Sequence, residues 1–201
     1  MFTGIVEEIG RVLSLQKIGE GWELTVGALR VLEDTRPGDS ISIEGTCLTV
    51  TERGECGFVV GLAPETLART HLGELTPGCP VNLERSLSAA GRFDGHFVQG
   101  HVDGTGVIRQ FSPDGDSLWV EIGAPPEILR YLVPKGYVAV DGVSLTVVEV
   151  KEDSFTFMLV AYTQEHISLP KKEVGDRVNL EVDILGKYLE KLVGGQNDVV
   201  S

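Results

Sequence analysis

Ile41-Ser42-Ile43-Glu44-Gly45-Thr46-Cys47-Leu48-Thr49-Val50 lines up with Val138-Ala139-Val140-Asp141-Gly142-Val143-Ser144-Leu145-Thr146-Val147 at an offset of 97. The same offset returns Val81-Asn82-Leu83-Glu84 unchanged as Val178-Asn179-Leu180-Glu181, and it places Thr66 on Thr163, Leu72 on Leu169 and Gly78 on Gly175. The opening repeats at an offset of 96, Gly4-Ile5-Val6-Glu7 against Gly100-His101-Val102-Asp103, followed by Gly10 against Gly106. One register kept over separated segments marks a duplicated domain, and a period near 97 is too long for a solenoid unit. The expected organisation is a first domain over 1–96, a second over 97–183, a helix over 184–195 and a tail over 196–201, with the boundary in the Arg85–Gly95 stretch.

Each half reads as strands. Apolar and polar residues alternate in Ile5–Leu15, Trp22–Val26, Ile41–Ile43, Cys47–Glu52, Phe58–Leu62 and Val81–Glu84, with Glu44-Gly45 and Arg53-Gly54 as hairpin turns. Short helices are expected at Glu65–Thr70 and Pro126–Leu132. Six short strands in a domain of this size close most easily as a small barrel. The predicted fold is therefore mainly all-β: two similar six-stranded antiparallel Greek-key barrels in tandem, plus a C-terminal α-helix. In that helix Ile184, Leu185, Tyr188, Leu189 and Leu192 form an apolar stripe with no counterpart in the first half, which points to a subunit contact.

Composition narrows the function. The 201 residues carry 17 basic and 30 acidic side chains, a formal charge of −13, which argues against nucleic-acid and anionic-lipid surfaces. Three cysteines without C-x-x-C spacing suit reduced thiols, not a disulfide framework. The N-terminus has neither the basic nor the apolar region of a signal peptide, and no stretch is apolar enough to span a membrane, so a cytoplasmic location is expected.

Motifs for nucleotide binding, zinc proteolysis and the hydrolase nucleophile elbow do not occur. His96 and His101, five apart in a predicted strand, would face opposite ways, and the histidines show no metal-site grouping. What remains is the repeated strand. Period two puts Leu48 and Val50 inside and Cys47 and Thr49 outside; Leu145 and Val147 go inside, Ser144 and Thr146 outside. The halves also differ: Ile5 becomes His101, Gly38 becomes Lys135, Ser40 becomes Tyr137 and Cys47 becomes Ser144. Two related pockets would thus bind similar molecules, with a proton-shuttling histidine in only one. Cys47 reads either as a nucleophile or as a small buried thiol. A triad of Ser144, His101 and an aspartate would lack the nucleophile elbow.

Met1-Phe2-Thr3-Gly4-Ile5-Val6, Glu44–Val50, Gly100-His101-Val102, Asp141–Val147 and Asn179–Leu185 together resemble the riboflavin synthase alpha chain family, from Met1 to about Leu192. The resemblance implies a homotrimer without cofactor or metal, and a dismutation in which one 6,7-dimethyl-8-ribityllumazine gives a four-carbon unit to another. It implies a site between the first barrel of one subunit and the second barrel of a neighbour, with association with lumazine synthase as a further partner.

By this resemblance the first barrel contributes Gly4, Ile5, Val6, Ser40, Cys47, Leu48 and Thr49, with Gly61, Leu62, Ala63, Pro64, Glu65 and Thr66; Phe2 closes over the site. The second contributes Gly100, His101, Val102, Lys135, Ser144, Leu145 and Thr146, with Met158, Leu159, Val160, Ala161, Tyr162 and Thr163. Catalytic roles fall to His101, Ser144, Thr146, Cys47, Lys135 and Asp183. Pro64-Glu65 is replaced by Ala161-Tyr162 in the second half, which leaves the backbone shape there open. The alternative is a non-catalytic lumazine- or flavin-binding protein of the same family. A flavin reductase barrel would need a nicotinamide-binding half that this chain does not display.

Overall fold

The computed structural model describes residues 1–19 and 21–194, so the end of the predicted C-terminal helix at 195 and the 196–201 tail lie outside the described residues. The first repeat contains β1 (Glu8–Ile18), β2 (Gly21–Gly27), β3 (Ser40–Ile43), β4 (Thr46–Arg53), β5 (Gly57–Leu62) and β6 (Pro80–Arg85), with α1 (Pro64–Arg69) after β5. These strands close a barrel in the order β1-β2-β5-β4-β3-β6 with every neighbour antiparallel. The turn after β4 lies at Gly54, whose N–H bonds the Gly57 carbonyl at 2.8 Å, slightly beyond the Arg53-Gly54 expected.

The second repeat follows with β7 (Gly104–Asp114), β8 (Ser117–Gly123), α2 (Pro126–Leu129), β9 (Tyr137–Val140), β10 (Val143–Thr146), β11 (Glu149–Val150), β12 (Ser154–Leu159), α3 (Ala161–His166), β13 (Arg177–Val182) and α4 (Ile184–Gly194). Its sheet curls through seven strands in the order β10-β9-β13-β7-β8-β12-β11. The difference from the first repeat lies at one place. β4 runs through a bulge between Val50 and Glu52, where the Thr51 hydroxyl donates to the Val59 carbonyl at 3.1 Å. Val148 stands at the equivalent position without a hydroxyl, and the strand divides there into β10 and β11.

Alternation decides which side chains fill each barrel. Ile41, Ile43, Leu48, Val50, Val60 and Leu83 pack in the first core, and their equivalents Val138, Val140, Leu145, Val147, Phe157 and Leu180 in the second. Between the barrels the duplication folds back on itself. Phe2 and Val98, equivalent under the 96 offset, pair with each other as an antiparallel bridge, and both are fully buried with Ala139. Gly45 and Gly142 also meet: a Cβ on Gly45 would lie 2.6 Å from the Gly142 nitrogen. Two pairs of equivalent residues in mutual contact define a pseudo-twofold relation between the repeats.

The Glu44-Gly45 and Asp141-Gly142 turns have positive φ at both positions, 47° and 77° in the first and 46° and 81° in the second, as a type I′ hairpin requires. These turns lie in the seam and not in solvent, and both carboxylates are completely buried. Lys172 Nζ lies 3.0 Å from Glu44 Oε2 and 2.6 Å from Asp141 Oδ2, and His71 Nε2 lies 3.0 Å from Asp141 Oδ1. Burial pushes the His71 pKa down, but the Asp141 charge and hydrogen bonds to both carboxylates outweigh it and raise it to about 9. At neutral pH two carboxylates thus face two cations, so the buried group is neutral overall. Glu44, His71 and Asp141 have the donor types of a metal site, yet the cation between the carboxylates is the chain's own ammonium. Asn82 and Asn179 tie the seam further, each donating its amide to the turn of the other repeat, at the Asp141 and Glu44 carbonyls (3.0 and 2.8 Å).

Candidate functional site

The glycine segments that open each repeat do not stay on their own barrels. Gly4 has φ 79°, and its carbonyl accepts the Ser144 N–H of the second barrel at 2.8 Å. Gly100 has φ 77°, and its carbonyl accepts the Cys47 N–H of the first barrel at the same distance. Side chains are excluded at both crossings, since a Cβ on Gly4 would lie 2.7 Å from Ser144 and one on Gly100 2.6 Å from Cys47. Val6 accordingly packs against the second core. This corrects the sequence-based assignment: Gly4 and Val6 go with the second barrel, and Gly100, His101 and Val102 with the first barrel's Cys47, while Ile5 faces the first barrel's Ser40. Strand periodicity shows which face a residue takes, but not on which barrel the segment lies.

Around the second crossing a cavity of about 250 Å³ is lined by Thr46, Cys47, Glu65, Thr66, Arg69, Thr70, Gly100, His101 and Val102. β4 supplies Thr46 and Cys47 and α1 supplies Glu65, Thr66 and Arg69, while the crossing segment closes the other side. Thr46 has a buried hydroxyl with no hydrogen-bond partner among the described residues. Thr46, Arg69 and Thr70 are not among the sequence-predicted residues. The i, i+4 spacing from Glu65 would have revealed Arg69, which pairs with it at 2.9 Å.

The equivalent surface on the second barrel keeps the backbone and changes the chemistry. α1 and α3 enter from matching conformations, Ala63 at φ −75°, ψ 157° and Val160 at φ −74°, ψ 158°. Replacing proline by Ala161 therefore leaves the helix entry unchanged. Where the first repeat has the Glu65–Arg69 ion pair, the second stacks Tyr162 on His166 with ring centroids 4.0 Å apart.

On this side Ser144 meets a histidine, but not the predicted one. Residues 96–101 form a crossing segment and no continuous strand, and His96 turns inward while His101 is exposed. His96 Nδ1 lies 2.7 Å from Ser144 Oγ, and its ring stacks on Tyr137 at 5.1 Å and 7°. Its Nε2 is buried without a partner among the described residues. Burial lowers the His96 pKa, and the Asp183 charge opposes that shift. Asp183 itself accepts the Leu185 N–H at 3.0 Å at the start of α4. Among the described residues His101 is held through its backbone, its N–H donating to Glu181 at 3.0 Å.

Thr49 and Thr146 are exposed beside Cys47 and Ser144, as their alternation required. Lys135 is exposed with φ 69°, and its N–H donates to the Val147 carbonyl at 2.7 Å. Ile5 and Ser40 line a separate, larger cleft of about 690 Å³ beside Glu84 and Arg85. Gly61, Ala63, Pro64, Val160 and Ala161 are exposed around the helix entries, and Met158 and Thr163 are half-buried. Five of the predicted contact residues have buried side chains. Leu48, Leu62, Leu145 and Leu159 are buried in the barrel cores because their strand positions point inward. Phe2 is fully buried in the seam, not a cover over a pocket.

The family described as "Lumazine binding domain" matches residues 3–86 and 99–183. Riboflavin synthase of Schizosaccharomyces pombe is 47% identical over 96% of this chain and 94% of its own length. That of Actinobacillus pleuropneumoniae is 45% identical over 96% and 90%. Among solved structures, LumP complexed with riboflavin superposes with a TM-score of 0.85 at 22% identity, covering 90% of this chain and 99% of LumP, which shows a shared fold. Among the described residues no helix is long and apolar enough to cross a membrane.

Proposed function

The chain belongs to the lumazine-binding riboflavin synthase family and is an enzyme of it, and on that premise we propose how its two repeats divide the reaction. Two molecules of 6,7-dimethyl-8-ribityllumazine react; one passes a four-carbon unit to the other, giving riboflavin and 5-amino-6-(D-ribitylamino)uracil. The carrying observation is the pair of crossings: each barrel receives the glycine segment of the other repeat at the same strand position, with different side chains around it. Two identical reactants suit two pockets of common backbone, and their unequal fates suit the difference between Cys47 with His101 and Ser144 with His96.

The full site forms when the first-barrel pocket of one subunit faces the second-barrel pocket of a neighbour in a cytoplasmic homotrimer. α4 supports this reading, because Leu185, Tyr188, Leu189 and Leu192 are all more than half exposed on one helix. Holding both reactants in register removes up to ~7–11 kcal/mol of the barrier.

Four-carbon transfer requires a proton to leave a ring methyl group and a hydroxyl to be oriented towards the ring. Burial disfavours the charged form of His96, and with the neutral ring the Nδ1 accepts the hydrogen bond of the Ser144 hydroxyl and sharpens that oxygen as an acceptor. When Ser144 Oγ takes the methyl proton and passes its own hydroxyl proton to Nδ1, the Asp183 charge favours the resulting imidazolium. Thr146 and Lys135 extend the same polar face, while His101 serves the pocket of Cys47, Thr46 and Thr66.

A double-mutant cycle on riboflavin formation tests this division. His96→Gln and Ser144→Ala should each lower kcat by about 10²-fold, and the pair should lose little more than either alone. His101→Gln should lower it by roughly 10²–10⁴-fold and combine additively with His96→Gln. Independent, additive losses from His96 and Ser144 would break the dyad.

A further inference from the structure

The tetrapeptide Val81-Asn82-Leu83-Glu84 returns unchanged as Val178-Asn179-Leu180-Glu181, and only its asparagines are explained by the seam. The two glutamates are buried, yet among the described residues neither meets a cation within ion-pair distance. Their partners are backbone N–H groups. Glu181 Oε1 accepts from Gln99 at 2.6 Å, and its Oε2 accepts from Gly100 at 2.9 Å and His101 at 3.0 Å. Glu84 Oε1 accepts from the Thr3 N–H at 2.7 Å and its hydroxyl at 3.1 Å, and its Oε2 accepts from Gly4 at 3.0 Å. Each carboxylate stands on the last strand of its own barrel and grips the residues at which that repeat's opening segment departs for the other barrel.

We propose that Glu84 and Glu181 are positioning residues, two clasps that fix the crossing segments: Glu181 seats Gly100 and His101 over the pocket of Cys47, and Glu84 seats Gly4 over Ser144. The inference rests on the pocket assignment above, and it names what holds the two halves of each pocket together. A carboxylate is suited to this because its two oxygens accept several N–H groups, whereas a carboxamide turns one of them into a donor facing other donors. Burial without a cation costs stability, which fits a group retained for placement and not for packing.

The sidedness gives a test that does not depend on turnover. In the full-length protein, iodoacetamide modification of Cys47 is followed by peptide mass spectrometry, with the exposed Cys56 as internal reference. Glu181→Gln should speed Cys47 modification by on the order of tenfold or more, as a segment held by charge-assisted hydrogen bonds opens. Glu84→Gln should leave Cys47 within twofold of the wild type while lowering kcat. Val178→Ala, a core truncation on the same strand, should lower Tm without exposing Cys47. Glu181→Asp keeps the charge but shortens its reach and should give an intermediate rate, which serves if the glutamine variant does not fold. Unchanged Cys47 reactivity in the Glu181 variants, or equal acceleration in Val178→Ala, would overturn the clasp. Faster modification with full turnover would uphold the clasp and remove the pocket assignment instead.

Discussion

Replacing His71 by Gln removes one of two cations from a group holding two fully buried carboxylates, and the structure sets the size of the effect. Facing the ring are Glu44 and Asp141 from the two turns and Lys172 from beyond α3, with Nζ 3.3 Å from Nε2. Burial and Lys172 disfavour the imidazolium, but the carboxylates prevail and raise the pKa from 6.5 to about 9. At ~1.4 kcal/mol per unit, the ionised ring contributes about 3 kcal/mol to folding. Because the folded pKa is the higher one, that contribution is complete below pH 6.5 and disappears as pH rises through 9. Urea unfolding at fixed protein concentration, from pH 6 to 10, should show His71→Gln about 3 kcal/mol less stable at pH 6. The gap should shrink towards zero near pH 10. A gap that stays constant across this range would mean that His71 is held neutral and that Lys172 alone balances two carboxylates.

Placing Asp at both Leu189 and Leu192 puts charge on the exposed apolar face of α4; sedimentation should show dissociation of the proposed homotrimer, and riboflavin formation should fall with it. Gly100→Ala adds a methyl group 2.6 Å from the Cys47 Cβ at a positive φ, so chemical unfolding should show a loss of about 1–3 kcal/mol and kcat should drop. An alanine variant with wild-type stability would contradict the closeness of that crossing.

The offset of 97 and the period-two pattern of Cys47–Val50 and Ser144–Val147 were enough to read the barrels, the strand edges within a few residues and the outward faces of Thr49 and Thr146. Features that depend on the relation between the repeats were not readable in this way. Glu44-Gly45 has the signature of a solvent-facing hairpin turn, and nothing local says that another copy of the same turn covers it. A strand over 96–101 would turn His96 and His101 to opposite faces, and the repeat difference pointed to His101; the crossing instead turns His96 onto Ser144. The crossing of Gly4 and Gly100 was invisible for a related reason: both segments pair by backbone, which leaves no side-chain pattern to read. Leu48 and Leu145 show the reverse, since their own alternation already placed them inside the barrels.

The crossings bear on how such a chain could have arisen. Because Gly4 crosses to the strand of Ser144 and Gly100 to the strand of Cys47, neither repeat alone contains both sides of a crossing. Contacts between equivalent residues, Phe2 with Val98 and Gly45 with Gly142, are the contacts an isologous dimer makes across its twofold axis. A single-repeat ancestor of this geometry would have exchanged its opening segments with a second copy of itself, and both of its pockets would have been identical. Fusion of the genes for such a pair releases the two pockets from that identity, so that one copy can keep a thiol where the other acquires a serine with its histidine. The two unequal crossings in this polypeptide are thus what a symmetric dimer gains once its halves are inherited as separate stretches of sequence.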